Sequence, residues 1–107
     1  MQEWKEKFLN YLQAIKNVSP HTLRNYGMDL ADFQTFSQVA DIKQADKRTF
    51  RGYLAYLNPK HTKRTILRRL SALRSFFKFL LKEGAIEHNP LEEIDAPKLE
   101  KKIPAPL

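Results

Sequence analysis

Residues 62–82 read TKRTILRRLSALRSFFKFLLK. Ile66, Leu70, Leu73, Phe77 and Leu80 step by 4, 3, 4 and 3. That spacing returns each side chain to one face of a 3.6-residue helix. The stripe predicts a long helix over about 62–82 whose apolar side must be covered by other elements. Gly84 stands where a left-handed residue closes a helix C-terminus.

Working outward, three more helices follow from the same signals. Trp4, Phe8, Leu12 and Ile15 predict a first helix over about 3–16, broadened by Leu9 and Tyr11. Ser19 then Pro20 is a strong helix start: a hydroxyl to accept a first-turn amide, then a residue with φ already helical. Val18 and Leu23 have the spacing of a hydrophobic staple. Leu23, Tyr26, Leu30 and Phe33 carry this second helix, with Phe36 at its edge, to near Ser37. A third helix starts after the N-cap Asp46, buries Phe50, Tyr53, Leu54 and Leu57, and stops at Asn58-Pro59. Asn89-Pro90 predicts one more short turn through Ile94. The prolines at 97, 104 and 106, with Lys98, Lys101 and Lys102 between them, read as an extended linker. The expected architecture is a compact all-α bundle of four main helices over residues 1–95, with a linker over 96–107. No strand alternation, hairpin or repeat competes with it.

The chain has 107 residues, enough for one core but not two, and 42% hydrophobic content places it among folded chains. With no cysteine there is no disulfide framework, thiolate metal site or cysteine nucleophile. That composition fits a reducing cytosol, and a cytoplasmic location is expected. No apolar run has the length of a membrane span, and the three glycines form no phosphate loop. The net charge of +7 is very unevenly placed: residues 47–82 hold 11 Lys and Arg and no Asp or Glu. The flanks on both sides carry more acid than base. An acid-free basic block within a folded segment points to a polyanion partner.

On a helical wheel, Arg64, Arg68, Ser71, Ser75, Lys78 and Lys82 fall within about 40° of one line, opposite the apolar stripe. Lys63 and Arg74 flank that line. Arg69 falls nearer the core boundary, where an arginine can snorkel. Such a line can follow a phosphate backbone or lie in a groove, and no acid within it neutralises the charge. His21, Arg24 and Asn25 form a second candidate surface at the start of the second helix, whose free amides attract phosphate. Asp29 and Asp32 would repel phosphate, so only the first two turns are expected to face DNA. The other reading of both surfaces is a solvated bundle face.

Nothing in the chain assembles an enzyme. His21, His61 and His88 have no metal-ligand spacing. Ser19 has a capping role and no neighbouring base. Asp29 and Asp32 read as a solvated surface pair. Tyr11, Tyr26, Tyr53 and Tyr56 sit in or beside apolar stripes and read as packing residues. Phe79, near the polar side of the fourth helix, reads either as a partner contact or as a half-buried residue. No cofactor, metal or small-molecule substrate is expected.

Ser19-Pro20-His21-Thr22-Leu23-Arg24-Asn25-Tyr26, followed by Asp29-Leu30 and Phe33, resembles the second-helix pattern of the phage-integrase group of Xer-type tyrosine recombinases. Arg68-Arg69-Leu70-Ser71-Ala72-Leu73-Arg74-Ser75-Phe76-Phe77-Lys78-Phe79-Leu80 resembles the family's fourth-helix signature. Glu83-Gly84-Ala85-Ile86-Glu87-His88-Asn89-Pro90 and Ala96-Pro97-Lys98 resemble the exit from that domain. The resemblance implies a SAM-like, N-terminal core-binding domain, one half of a C-shaped clamp with its second and fourth helices against the major groove. Carried onto this chain, it implicates Thr22, Asn25, Arg68, Ser71 and Arg74. The wheel and the second-helix start add His21, Arg24, Lys63, Arg64, Ser75 and Lys78. The partners it implies are double-stranded DNA and other recombinase protomers in a synaptic tetramer. Trp4, Phe8 and Tyr11 are candidates for a protomer contact, with packing inside the domain as the simpler account. The family's DNA cleavage and rejoining, through a 3′-phosphotyrosine link, lie in another domain, and no tyrosine here matches the nucleophile motif. This chain is therefore expected to bind DNA without cutting it, within a parent acting in DNA integration, recombination or chromosome dimer resolution. A helical protein-interaction module and a helix-turn-helix regulator are the other readings of the residues alone.

Overall fold

The computed structural model describes residues 2–38 and 44–93. Its elements are α1 (Gln2–Ala14), α2 (Pro20–Ser37), α3 (Lys47–Leu57), α4 (Lys63–Lys82) and a 3₁₀ turn (Pro90–Glu93). There is no strand among the described residues. The all-α bundle of four helices is as expected from the apolar stripes.

Local chemistry sets the helix ends. The Ser19 hydroxyl oxygen accepts the Thr22 N–H at 3.2 Å, and Pro20 occupies the first helical position. At the other end of α2, Gln38 turns left-handed (φ 55°) and its N–H returns to the Gln34 carbonyl. Asp46 caps α3 in a reciprocal box with Thr49, whose N–H donates to the carboxylate at 3.0 Å. That bond holds the Asp46 carboxyl below its usual range. Thr62 caps α4 by accepting the Thr65 N–H at 3.2 Å. Gly84, at φ 80°, ends α4. Its N–H bonds the Leu81 carbonyl, and the Ala85 N–H bonds the Leu80 carbonyl. Together these make a Schellman closure.

The stripe predicts α1 as far as Lys16, but it stops at Ala14. The Ile15 and Lys16 amides both donate to the Tyr11 carbonyl, and Asn17 turns to φ 54°. Ile15, read as the last residue of the stripe, is thereby carried off the helix and is 69% exposed. The short turn after Asn89 is present, with the Asn89 side-chain oxygen accepting the Leu91 N–H at 3.0 Å. Its expected end at Ile94 and the linker over 96–107 lie outside the described residues.

The Ser19 cap gives a first prediction. Ser19→Ala leaves a first-turn amide without its partner and is expected to cost about 1 kcal/mol. That is roughly 4–8 °C in Tm for a domain of this size. Thermal unfolding followed by circular dichroism reads it, and an unchanged Tm would show that water replaces the cap without loss.

α4 is the central element. Ile66, Leu70, Leu73, Phe77 and Leu80 are all buried, and Phe77 meets Phe50 of α3 edge-on at 5.1 Å between ring centres. Phe50 in turn stacks on Phe33 of α2 at 5.0 Å. Phe76 and Phe79 lie off the predicted stripe but are also buried, because α1 covers a second flank of α4. Phe8 of α1 sits 5.3 Å from Phe76 and 5.4 Å from Phe79. Phe79 is therefore core, at 7% exposure, rather than a partner contact. Phe8 is likewise core and unavailable to a neighbouring protomer. Tyr11 is half-buried against Phe79, and Trp4 is half-buried with the Lys7 ammonium over its ring. Tyr53 is fully buried and Tyr26 partly so, as packing residues should be, whereas Tyr56 is exposed beside Phe36.

Candidate nucleic-acid interface

The α4 core stripe fixes what the opposite side presents. Arg64, Arg68, Ser71, Lys78 and Lys82 are exposed, Ser75 is half-buried, and the flanking Lys63 and Arg74 are exposed. At the start of α2, His21 and Arg24 are exposed while Thr22 and Asn25 are half-buried. Thr22 also receives a hydrogen bond from the Ser19 hydroxyl at 3.0 Å, so its side chain is held at the helix start.

α2 packs directly on α4, and this brings part of the predicted set together. Thr22 and Asn25 from α2 and Arg68 and Ser71 from α4 line one hollow of about 210 Å³, with Tyr26, Asp29 and Ala72. His21, Arg24, Lys63, Arg64 and Arg74 do not line it. Ser75 and Lys78 border a larger hollow of about 570 Å³ beside α1, with Tyr11, Lys16 and Lys82. Arg74 and Lys78 also border a third, with Leu81, Asn89 and Leu91.

The two acids of α2 are placed differently from expectation. Asp29 and Asp32 are not a solvated pair, and the basic line is not free of acid. Asp29 is 4% exposed, and its Oδ1 accepts from Nη2 of Arg68 at 3.0 Å. Asp32 Oδ2 accepts from the Tyr53 hydroxyl at 2.6 Å and from Nη1 of Arg69. Arg69 therefore does more than snorkel: its side chain is 18% exposed and ion-paired. Burial pushes the Asp29 carboxyl above its usual range, even with Arg68 and Arg69 pulling it down. Burial and the bond to Asp32 push the Tyr53 phenol up, so it stays a proton donor.

The pairing does not follow from α2 alone, because Tyr53, Arg69 and Arg68 lie 21, 37 and 39 residues from their acids. One signal was available: two carboxylates three apart on one helix and two adjacent arginines on another invite pairing once the helices touch. Among the described residues no group of His, Cys, Asp or Glu could hold a metal ion. Nor is any described helix long and apolar enough to cross a membrane.

Residues 6–84 match the family of the phage integrase N-terminal SAM-like domain. The chain belongs to that family. It is 39% identical over 108 residues to a protein of Leptospira interrogans named tyrosine recombinase XerC, covering 97% of this chain and 35% of that one. Proteins of the same name from Bacillus subtilis and Myxococcus xanthus are 40% and 34% identical, over 91% and 95% of this chain. The chain spans about a third of the length of these curated relatives, 33–35%. No solved structure matches. The match runs from within α1 to Gly84, so it includes all of α2 and α4 and the hollow between them.

Proposed function

We propose that this chain is the DNA-binding domain of a site-specific tyrosine recombinase. In this reading it lies against duplex DNA with the outward line of α4 and the first turns of α2. The observation that carries the reading is the exposure of Arg64, Arg68, Ser71, Arg74 and Lys78 along one side of a helix whose other side is core. Arg and Lys neutralise phosphates and release counterions, and Ser is small enough to let the helix approach closely. The family match and the names of the relatives support the recombinase context. The parent protein then cleaves and rejoins DNA in a second domain, acts in the cytoplasm, and assembles with further protomers. Its task is integration or the resolution of chromosome dimers.

The test is a salt titration of this chain on labelled duplex DNA between 50 and 200 mM. Four or five phosphate contacts give a log–log slope of about −4, since each contributes about −0.9. A slope shallower than about −1 overturns the reading and favours the helical protein-interaction module.

A further inference from the structure

The proposed DNA-facing surface contains one group that a simple phosphate grip would exclude. Asp29 is a buried carboxylate in the lining of the hollow formed by Thr22, Asn25, Arg68 and Ser71. A carboxylate only accepts hydrogen bonds and repels phosphate. Yet it bonds the arginine that stands at that hollow.

We infer that Asp29 is a positioning residue for sequence recognition: it holds the Arg68 guanidinium across the α2–α4 hollow so that Arg68 reads a guanine edge. The inference rests on the reading of α2 and α4 as the DNA-facing surface. The pair is strongly asymmetric, with side-chain exposure of 54% for Arg68 and 5% for Asp29. The acid is an anchor below, and the guanidinium is the part presented outward. The bond to Asp29 uses Nη2 and occupies one of the five N–H donors; the others make no hydrogen bond among the described residues. A planar fork fixed at one corner has lost much of the rotamer freedom that a loose surface arginine gives up on binding. Two parallel N–H donors in fixed orientation are what bidentate contact with O6 and N7 of guanine requires.

The neighbouring arginine shows the contrast. Arg69 has the same chemistry, but Asp32 and Tyr53 draw it inward and leave it 18% exposed. Of the two adjacent arginines, only Arg68 is both fixed and presented. The charge of Asp29 further sorts the surface. It disfavours phosphate at the hollow, while Thr22, Asn25 and Ser71 bring hydroxyl and amide groups suited to base edges. Arg64 and Lys78, which do not line that hollow, are left for the backbone.

The experiment is selection of duplexes from a randomised pool by the wild-type chain, Asp29→Asn and Arg68→Lys, with affinities for the selected and scrambled duplexes measured at fixed salt. The wild type is expected to select a guanine and to lose about tenfold or more in affinity when that base pair is replaced. Asp29→Asn keeps the shape and removes a buried charge. It is expected to fold with unchanged helical circular dichroism and to bind scrambled duplex at least as tightly as the wild type. At the guanine position its preference falls to within about twofold. Arg68→Lys keeps the charge without the fork and is expected to lose the same preference while holding affinity for scrambled duplex within about threefold. Full guanine preference in either variant overturns the proposal. So does an equal loss of affinity across all duplexes in Asp29→Asn, which marks a purely structural ion pair. A wild type that binds with a steep salt slope but selects no guanine overturns the reader and leaves the DNA reading standing. Absence of salt-dependent binding overturns both.

Discussion

Phe77→Ala is expected to destabilise this domain by about 3–5 kcal/mol, the usual cost of removing a buried aromatic side chain. Phe77 is fully buried on α4 and joins two parts of the core. Its ring meets Phe50 of α3 at 5.1 Å and Phe76 of α4 at 5.4 Å, both nearly perpendicular. Through Phe50 it links to the stack on Phe33 of α2. The cavity left by the ring opens between α4 and α3, beside the Phe50–Phe33 stack that ties α3 to α2. A small domain has only about 5–15 kcal/mol in total, so this one change removes much of it. Tm is expected to fall by more than about 12 °C, read by thermal unfolding. Phe79→Ala is a useful comparison. The ring contacts of Phe79 are with Phe8 and Tyr11 of α1, and at 7% exposure it is less completely buried than Phe77, so the smaller loss is expected there. Equal losses at the two positions would show that the α1 flank contributes as much to stability as the α3 junction.

The difference between those two phenylalanines also explains what was legible beforehand. The stripe through Phe77 has helical period and sits between recognisable caps, so helix identity and most ends follow from neighbours a few residues apart. Ser19, Asp46, Thr62 and Gly84 act within one turn of their own position, and each does what its residue type predicts. Phe76 and Phe79 are different. Their burial depends on α1 crossing a second flank of α4, which no period within α4 encodes. The breadth of the α1 stripe was the available hint, because an extra apolar face needs an extra apolar partner. Asp29 and Asp32 follow the same rule. Read within α2 alone, an acid pair three residues apart is surface; read against α4, it meets Arg68 and Arg69. The basic line of the candidate site was legible because amphipathicity is local. The acid beneath it was not, because its role exists only once two helices touch.

The same distinction decides the second large effect. Arg64→Ala, Arg74→Ala and Lys78→Ala together are expected to lower duplex DNA affinity by about 10² at 0.2 M salt and by more than 10³ at 50 mM. The estimate follows from three phosphate contacts at about 0.9 of log–log slope each, so the slope itself is expected to become shallower by about 2.7. All three residues are exposed, and substitutions of that kind usually change stability by no more than about 0.5 kcal/mol, so Tm should hold. Net charge alone gives a different expectation. Arg48, Arg51 and Lys60 belong to the same basic block but sit on α3 and the turn after it. They are equally exposed, and their triple alanine variant removes the same charge. If a diffuse positive field drives binding, the two triples lose affinity alike. If one face of α4 lies on the backbone, the α3 triple changes the slope by less than about 1 while the α4 triple loses nearly three contacts. Equal slopes for the two variants would overturn the α4 face as the binding surface while leaving the protein a DNA binder. Only the unequal result assigns the basic block's affinity to a single line of side chains, and the fold places that line opposite the α4 core stripe.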